Sequence, residues 1–161
     1  MDTATDVTRH NDARIREYWE VFNTHDVAKG STFLTEDYVN HAAPKAPAGP
    51  QGWRLIMGAI FKSFPDFTYV LEQQVAFDDK VIAYLTATAT HTGKAWAPPP
   101  DARDQSIPSL LAGGAPTGKQ WTAKHFHLFR MVDGKIAEHS SIRDDLGMLQ
   151  QLGLVRLGAS Q

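Results

Sequence analysis

The sequence predicts an α+β fold: two helices followed by a curved antiparallel sheet that encloses an apolar pocket. Three observations predict it. Apolar residues recur at helical spacing in two segments before residue 65. Beyond that point, period-2 alternation dominates. Helices and strands are not interleaved along the chain, which argues against a parallel βαβ sheet. The 161 residues suit one domain, read as 1–161 with an ordered core over about 9–153.

Residues 1–8 read as a loose start. From about Arg9 to Ala28, Ile15, Trp19 and Phe22 form a helical stripe joined by Tyr18 and Val21. Thr8 suits an N-cap, and Gly30 a stop. Tyr38–His41 reads as a short strand. Residues 42–52 hold three Pro and two Gly and read as a loop. A second helix is expected from about Gln51 to Phe64, buried through Trp53, Ile56, Ile60 and Phe64. Pro65 ends it, because the residue before a proline is pushed out of the helical region.

Strand patterns follow. Phe67, Tyr69 and Leu71 alternate, as do Val75 and Phe77. After a turn at Asp78-Asp79-Lys80, Val81, Ala83, Leu85, Ala87, Ala89 and His91 share one strand face. Thr at 86, 88 and 90 on the other face favours strand over helix, since its branching restricts helical rotamers. Residues 93–119 carry Pro and Gly clusters and read as a long loop insertion with one helical turn near Ile107–Ala112. Alternation resumes over Gln120–Met131, with Trp121, Ala123, His125, His127, Phe129 and Met131 in one row. Asp133-Gly134 signals a hairpin. Ile136, Glu138, Ser140, Ile142 and Asp144 then line one face of a last strand, and Leu146–Leu152 reads as a closing helix ending near Gly153.

Composition excludes several classes. Sixteen Lys and Arg oppose eighteen Asp and Glu, a formal charge of −2, so nothing draws the chain to nucleic acid. No apolar run spans a bilayer and the start lacks the apolar core of a secretory signal, so no membrane partner is expected and the location read is cytoplasmic. There is no Cys, hence no disulfide and no thiolate. The Gly113–Lys119 stretch does not match a phosphate-binding loop.

The richest constellation is His91, His127 and Asp144, expected to converge as catalytic residues on the pocket side of their strands. A carboxylate in an apolar pocket gains basicity near neutral pH, and an imidazole can hydrogen-bond the enolate oxygen that develops. Substrate-binding positions expected beside them are His41, Trp53, Tyr18, His125, Ser140 and Trp121. His139 and Arg143 have the opposite parity to Asp144 and are placed outside the pocket. The bland alternative stays open: Asp144 as the cap of the last helix, the histidines as satisfied core residues, and the Trp stripe as packing. His125, His127 and Asp144 also form a conceivable metal trio. With no His-Glu-x-x-His helix and no Cys, no metal is expected.

Taken in order, Phe22-Asn23-Thr24-His25-Asp26, Tyr38-Val39-Asn40-His41, Phe64-Pro65-Asp66, Thr90-His91-Thr92-Gly93, Pro116-Thr117-Gly118-Lys119, the run Phe129 to His139 and the run Asp144 to Gly153 resemble the SnoaL-like polyketide cyclase family, within the ketosteroid-isomerase-like group. The resemblance implies a cone-shaped α+β barrel with a deep apolar cavity. It implies intramolecular aldol ring closure on a polyketide ester, as in antibiotic biosynthesis, without metal or cofactor. It assigns the acid/base role to Asp144 and places His41 and His91 at the pocket border. Two departures stand out: Ser140 where the family carries Trp, and the insertion from about Trp96 to Ala115. The expected function is a cofactor-independent cyclase or isomerase acting on a carbonyl-bearing apolar molecule. The rival is a non-catalytic binding protein on the same scaffold. A homodimer is expected, with Phe126 and Leu128 on the covered face.

Overall fold

The computed structural model describes residues 4–95, 107–111 and 114–155. Its elements are α1 (Ala4–Asn23), α2 (Val27–Ser31), β1 (Leu34–Asn40), α3 (Gly49–Ser63), β2 (Thr68–Phe77), β3 (Lys80–Thr90), α4 (Ile107–Leu110), β4 (Gln120–Val132), β5 (Lys135–Arg143) and α5 (Asp145–Leu152). The five strands form one sheet in the order β1-β5-β4-β3-β2. About half of the insertion expected at 93–119, Trp96 included, lies outside the described residues. Among the described residues no helix is long and apolar enough to cross a membrane.

The helical stripe read from the sequence is the buried face of α1: Ile15, Tyr18, Trp19, Val21 and Phe22 are all buried. The helix starts earlier than expected and stops at Asn23, because His25 turns to a φ of 60° and Asp26 restarts the chain as the cap of α2, accepting from Lys29 N at 2.9 Å. Gly30 in α2 is a close-approach position. A Cβ there would lie 2.5 Å from Trp53 Cη2, so its absence lets the α3 indole rest on the α2 backbone.

The expected all-antiparallel sheet is corrected at one edge. β2, β3, β4 and β5 are antiparallel neighbours, but β1 pairs parallel with β5 through Leu34↔Ile136 and Asn40↔His139. A parallel partner needs a crossover connection rather than a hairpin, and here α3, β2, β3 and β4 all intervene. β4 and β5 are joined by the Asp133-Gly134 turn, with φ of 48° and 71°.

One face of the sheet is covered by α1 and α3. Val81, Ala83, Leu85, Ala87 and Ala89 of β3 are completely buried, beside Trp121, Ala123 and Phe129 of β4. The small β3 side chains leave room for the rings above them, and Tyr18, Trp19, Phe22, Phe67 and Tyr69 fill it with edge-to-face and tilted contacts at 5.0–6.3 Å. The other face leaves Val70, Val75, Phe77, Phe126 and Ile142 exposed.

A bulge decides which β5 side chains face the helices. Met131 pairs with Ile136 but Arg130 pairs with Glu138, so Ala137 is an extra residue. Before it, Ile136 points to the core. After it the parity reverses: His139, Ser141 and Arg143 stand opposite Phe129, His127 and His125 on the covered face. A one-residue offset sends every following side chain to the other side of a sheet.

Candidate active site

The bulge brings His139 onto His127. Their rings stack at 5.0 Å, and His127 Nδ1 lies 2.8 Å from His139 Nε2. Asn40, at the end of β1, completes the row with Oδ1 3.3 Å from His139 Nδ1. The same Oδ1 accepts from the backbone N–H of Ala42 at 3.0 Å, which identifies it as the amide oxygen. An amide oxygen only accepts, so His139 donates from Nδ1 and carries its lone pair on Nε2. That lone pair takes the Nδ1–H of His127. The neutral tautomer of His127 therefore keeps its lone pair on Nε2, and this atom is buried with no hydrogen-bond partner.

Electrostatics keep the row uncharged. Burial first, and the Arg143 charge second, lower the pKa of His125 and of His139 to about 3. Burial drives His127 well below its ordinary value too, assisted by His139, His125 and Arg143. Arg143 itself is held by Asp145, with Nη2 2.9 Å from Oδ2, and by Ser141 Oγ at 3.0 Å. Burial pushes Tyr18 and Tyr69 far above the ordinary phenol range, so both stay protonated. Tyr69 shares a hydrogen bond with His125 Nδ1 at 2.9 Å.

Two small internal pockets flank this row. One, of about 40 Å³, lies among Tyr18, Trp19, Trp53, Tyr69, His127 and His139. The other, of about 50 Å³, lies among Met57, Ile107, His127, His139 and Arg143. Each has room for little more than a water or two. A wider surface hollow of about 410 Å³ opens beside them, sharing Ala42 and Arg143 with the second pocket. The deep apolar cavity expected from the resemblance is not shown, because aromatic rings occupy the space between the helices and the sheet.

The expected site residues separate. The structure does not bring Asp144 to the expected meeting with the histidines: it is exposed, and its carboxylate caps α5 by accepting from Gly147 N at 2.8 Å. The Ala137 bulge gives its position the outward parity, so it does not meet the histidines. His91 is buried away from the row, its ring against Phe64 at 5.2 Å and its Nδ1 3.3 Å from Thr117 N. It pins the return of the insertion, with Gly118 N donating to its carbonyl. His41 is exposed and bonds Glu138 at 2.9 Å, yet it borders the surface hollow. Ser140 pairs with Leu128 on the outward face and also reaches that hollow. Trp121 packs on Phe64 and Phe67 in the core. Tyr18, Trp53 and His125 are on the covered face, with Trp53 Nε1 donating to Tyr18 Oη at 3.1 Å. Of the catalytic trio, His127 alone sits in the row.

Sequence parity missed His139 and Arg143 by excluding them, and did not single out Asn40. Only the bulge would have revealed them, and no Gly marks it. Asp144→Ala is expected to lower stability by about 1 kcal/mol through the lost cap, a fall in melting temperature of about 3 °C. Turnover should be unchanged. A calorimetric scan alongside steady-state assay checks this, and a collapse of turnover with an intact fold would restore the carboxylate to the chemistry.

Comparisons with known proteins bear on the same region. A model of the SnoaL-like polyketide cyclase family matches residues 12–152. The chain is 27% identical over 137 residues to the nogalonic acid methyl ester cyclase of Streptomyces nogalater, covering 82% of this chain and 89% of that protein. It is 26% identical over 159 residues to the aklanonic acid methyl ester cyclase DnrD of Streptomyces peucetius, covering 95% and 92%. The crystal structure of AclR from Streptomyces galilaeus matches the fold with a TM-score of 0.73 at 23% identity, over 92% of this chain and 88% of that one.

Proposed function

Since the chain belongs to the SnoaL-like polyketide cyclase family, we propose that it closes a ring in a polyketide-like, carbonyl-bearing apolar substrate, with His127 as the acid/base group. The observation that carries this reading is the buried, unpartnered Nε2 of His127, whose lone pair is fixed by the relay through His139 and Asn40 to the Ala42 amide.

The chemistry follows from that lone pair. Nε2 takes a proton from a carbon next to a carbonyl, leaving an enolate and an imidazolium. The enolate carbon attacks a second carbonyl of the same molecule, forming the new carbon–carbon bond and an alkoxide. The imidazolium returns its proton to the alkoxide. Substrate and product are isomers, and the sequence of steps draws on no cofactor. Arg143, on the second pocket and the surface hollow, stabilises the developing oxyanion. Burial keeps His127 neutral and ready to accept, and the same positive charge adds to that effect. Trp53 and Tyr18 form apolar walls, and His41 and Ser140 meet the substrate at the hollow. Since the inner pockets are small, binding moves the Met57 and Ile107 side chains aside.

The test is conversion of nogalonic acid methyl ester, followed by liquid chromatography and mass spectrometry. The expected product has the substrate's mass and a new retention time. Tight binding without conversion, here and with the aklanonic ester, would favour the non-catalytic reading.

A second copy covers the outer sheet face, where Phe126 is 50% and Ile142 79% exposed. Light scattering is expected to give twice the chain mass for the wild type and a monomer for Phe126→Glu. A wild-type monomer refutes the dimer.

A further inference from the structure

A second residue that lines the inner pocket also has a buried polar atom without a partner. The indole Nε1–H of Trp19 is buried without a hydrogen bond, in a residue only 4% exposed. Its ring meets that of His127 edge-on, with centroids 5.3 Å apart, and both rings line the pocket of about 40 Å³. Buried polar atoms are nearly always paired, so each exception calls for a reason. These two are opposite in kind. An indole N–H can only donate, while Nε2 of His127 in its fixed tautomer can only accept.

Each neighbouring polar side chain on the same pocket already has at least one partner. Trp53 Nε1 donates to Tyr18, Tyr69 is bonded to His125, and Asn40 is held by Ala42 and His139. What has no partner at all is a donor and an acceptor on two neighbouring rings of this pocket. An enolisable ketone is complementary to that pair: its oxygen accepts one hydrogen bond, and its adjacent C–H supplies one proton.

We propose that Trp19 Nε1–H is the hydrogen-bond donor to the substrate carbonyl whose α-proton His127 removes. The inference rests on the reading of His127 as the base. As the C–H bond breaks, its electron pair moves onto the ketone oxygen and the proton passes to Nε2. The bond from the indole strengthens as that negative charge grows. Trp19 therefore acts on the transition state more than on binding, and its loss falls on kcat rather than KM.

The test uses 2-tetralone, a two-ring enolisable ketone, and follows exchange of its α-protons in D2O by NMR. The wild-type protein is expected to accelerate exchange over buffer, and His127→Asn to return it to the buffer rate. Trp19→Phe should lower the kcat of exchange by about 10²-fold with little change in KM. Because Trp19→Phe also removes packing, a second variant carries 3-benzothienylalanine at position 19, which keeps the two-ring shape but replaces N–H by sulfur. It is expected to lose as much as Trp19→Phe. Wild-type exchange in the benzothienyl variant, or a change confined to KM, overturns the proposal while leaving His127 as the base. Exchange that survives His127→Asn removes the base itself, and a wild-type rate equal to buffer removes both.

Discussion

His127→Asn is expected to lower kcat by about 10²- to 10⁴-fold, the usual contribution of a positioned acid/base group. Asn is the informative replacement. Its side-chain amide can occupy the place of Nδ1–H and still donate to His139, so the relay is retained while Nε2 disappears. KM should stay close to the wild-type value, since the apolar walls that hold the substrate are untouched. Loss of the tautomer control should be milder: His139→Leu frees His127 to place its proton on either nitrogen, and a fall of about tenfold is expected on the basis that half or more of the base is misprotonated and less well oriented. Steady-state kinetics on both variants, with circular dichroism to confirm folding, check the pair. Full turnover in His127→Asn would remove imidazole catalysis from this site.

Acid is expected to destabilise the protein first through its buried histidines, beginning at a pH where its carboxylates are still ionised. His125 and His139 have pKa values near 3 in the fold, and His127 is also held far below the ordinary value, chiefly by burial. In the unfolded chain each returns to about 6.5. Above that pH the three rings are neutral in both states and stability is fully present. Below it the unfolded chain takes up protons that the folded chain refuses, so stability falls as pH falls toward 3. Each ring contributes about 1.4 kcal/mol per pH unit, so three lose roughly 4 kcal/mol per unit. His91, lowered by burial as well, acts in the same direction. Against a total stability on the order of 10 kcal/mol, unfolding is expected between about pH 4 and 5. Thermal melts at pH 7, 6 and 5 should show a fall of more than about 10 °C across the series. His139→Gln should flatten the slope by about a third. A melting temperature indifferent to pH over that range would mean that the imidazoles are not held neutral by burial.

Much of the fold was legible because its signals are local and periodic. The Ile15, Trp19 and Phe22 stripe, the alternation over β3 and β4 and the Asp133-Gly134 turn all appear where the pattern put them. The parallel seam between β1 and β5 was not legible, since it joins segments about 100 residues apart and leaves no mark in either. The site was half legible. His127 follows from the parity of β4, an unbroken strand paired on both sides. Asp144 does not, because parity was carried through Ala137 as though β5 were regular. A bulge built on Ala has none of the glycine signature that would flag it, and it exchanged the two faces for everything downstream. The cap reading of Asp144, left open by the sequence, was the correct local signal.

The relay behind His127 ends on the peptide N–H of Ala42, where a serine-protease-type triad has a carboxylate. A peptide group never titrates and lends no negative charge. The imidazolium of the proposed mechanism is therefore short-lived, and a catalyst built this way is a mild one. Its range is limited to carbon acids that their own neighbours have already weakened, such as a methylene between two carbonyls. Unactivated esters and ketones with no acidifying neighbour fall outside that range without any steric filter, whereas a methylene held between an aromatic ring and a carbonyl, as in 2-tetralone, stays inside it, so selectivity here begins with acidity before shape.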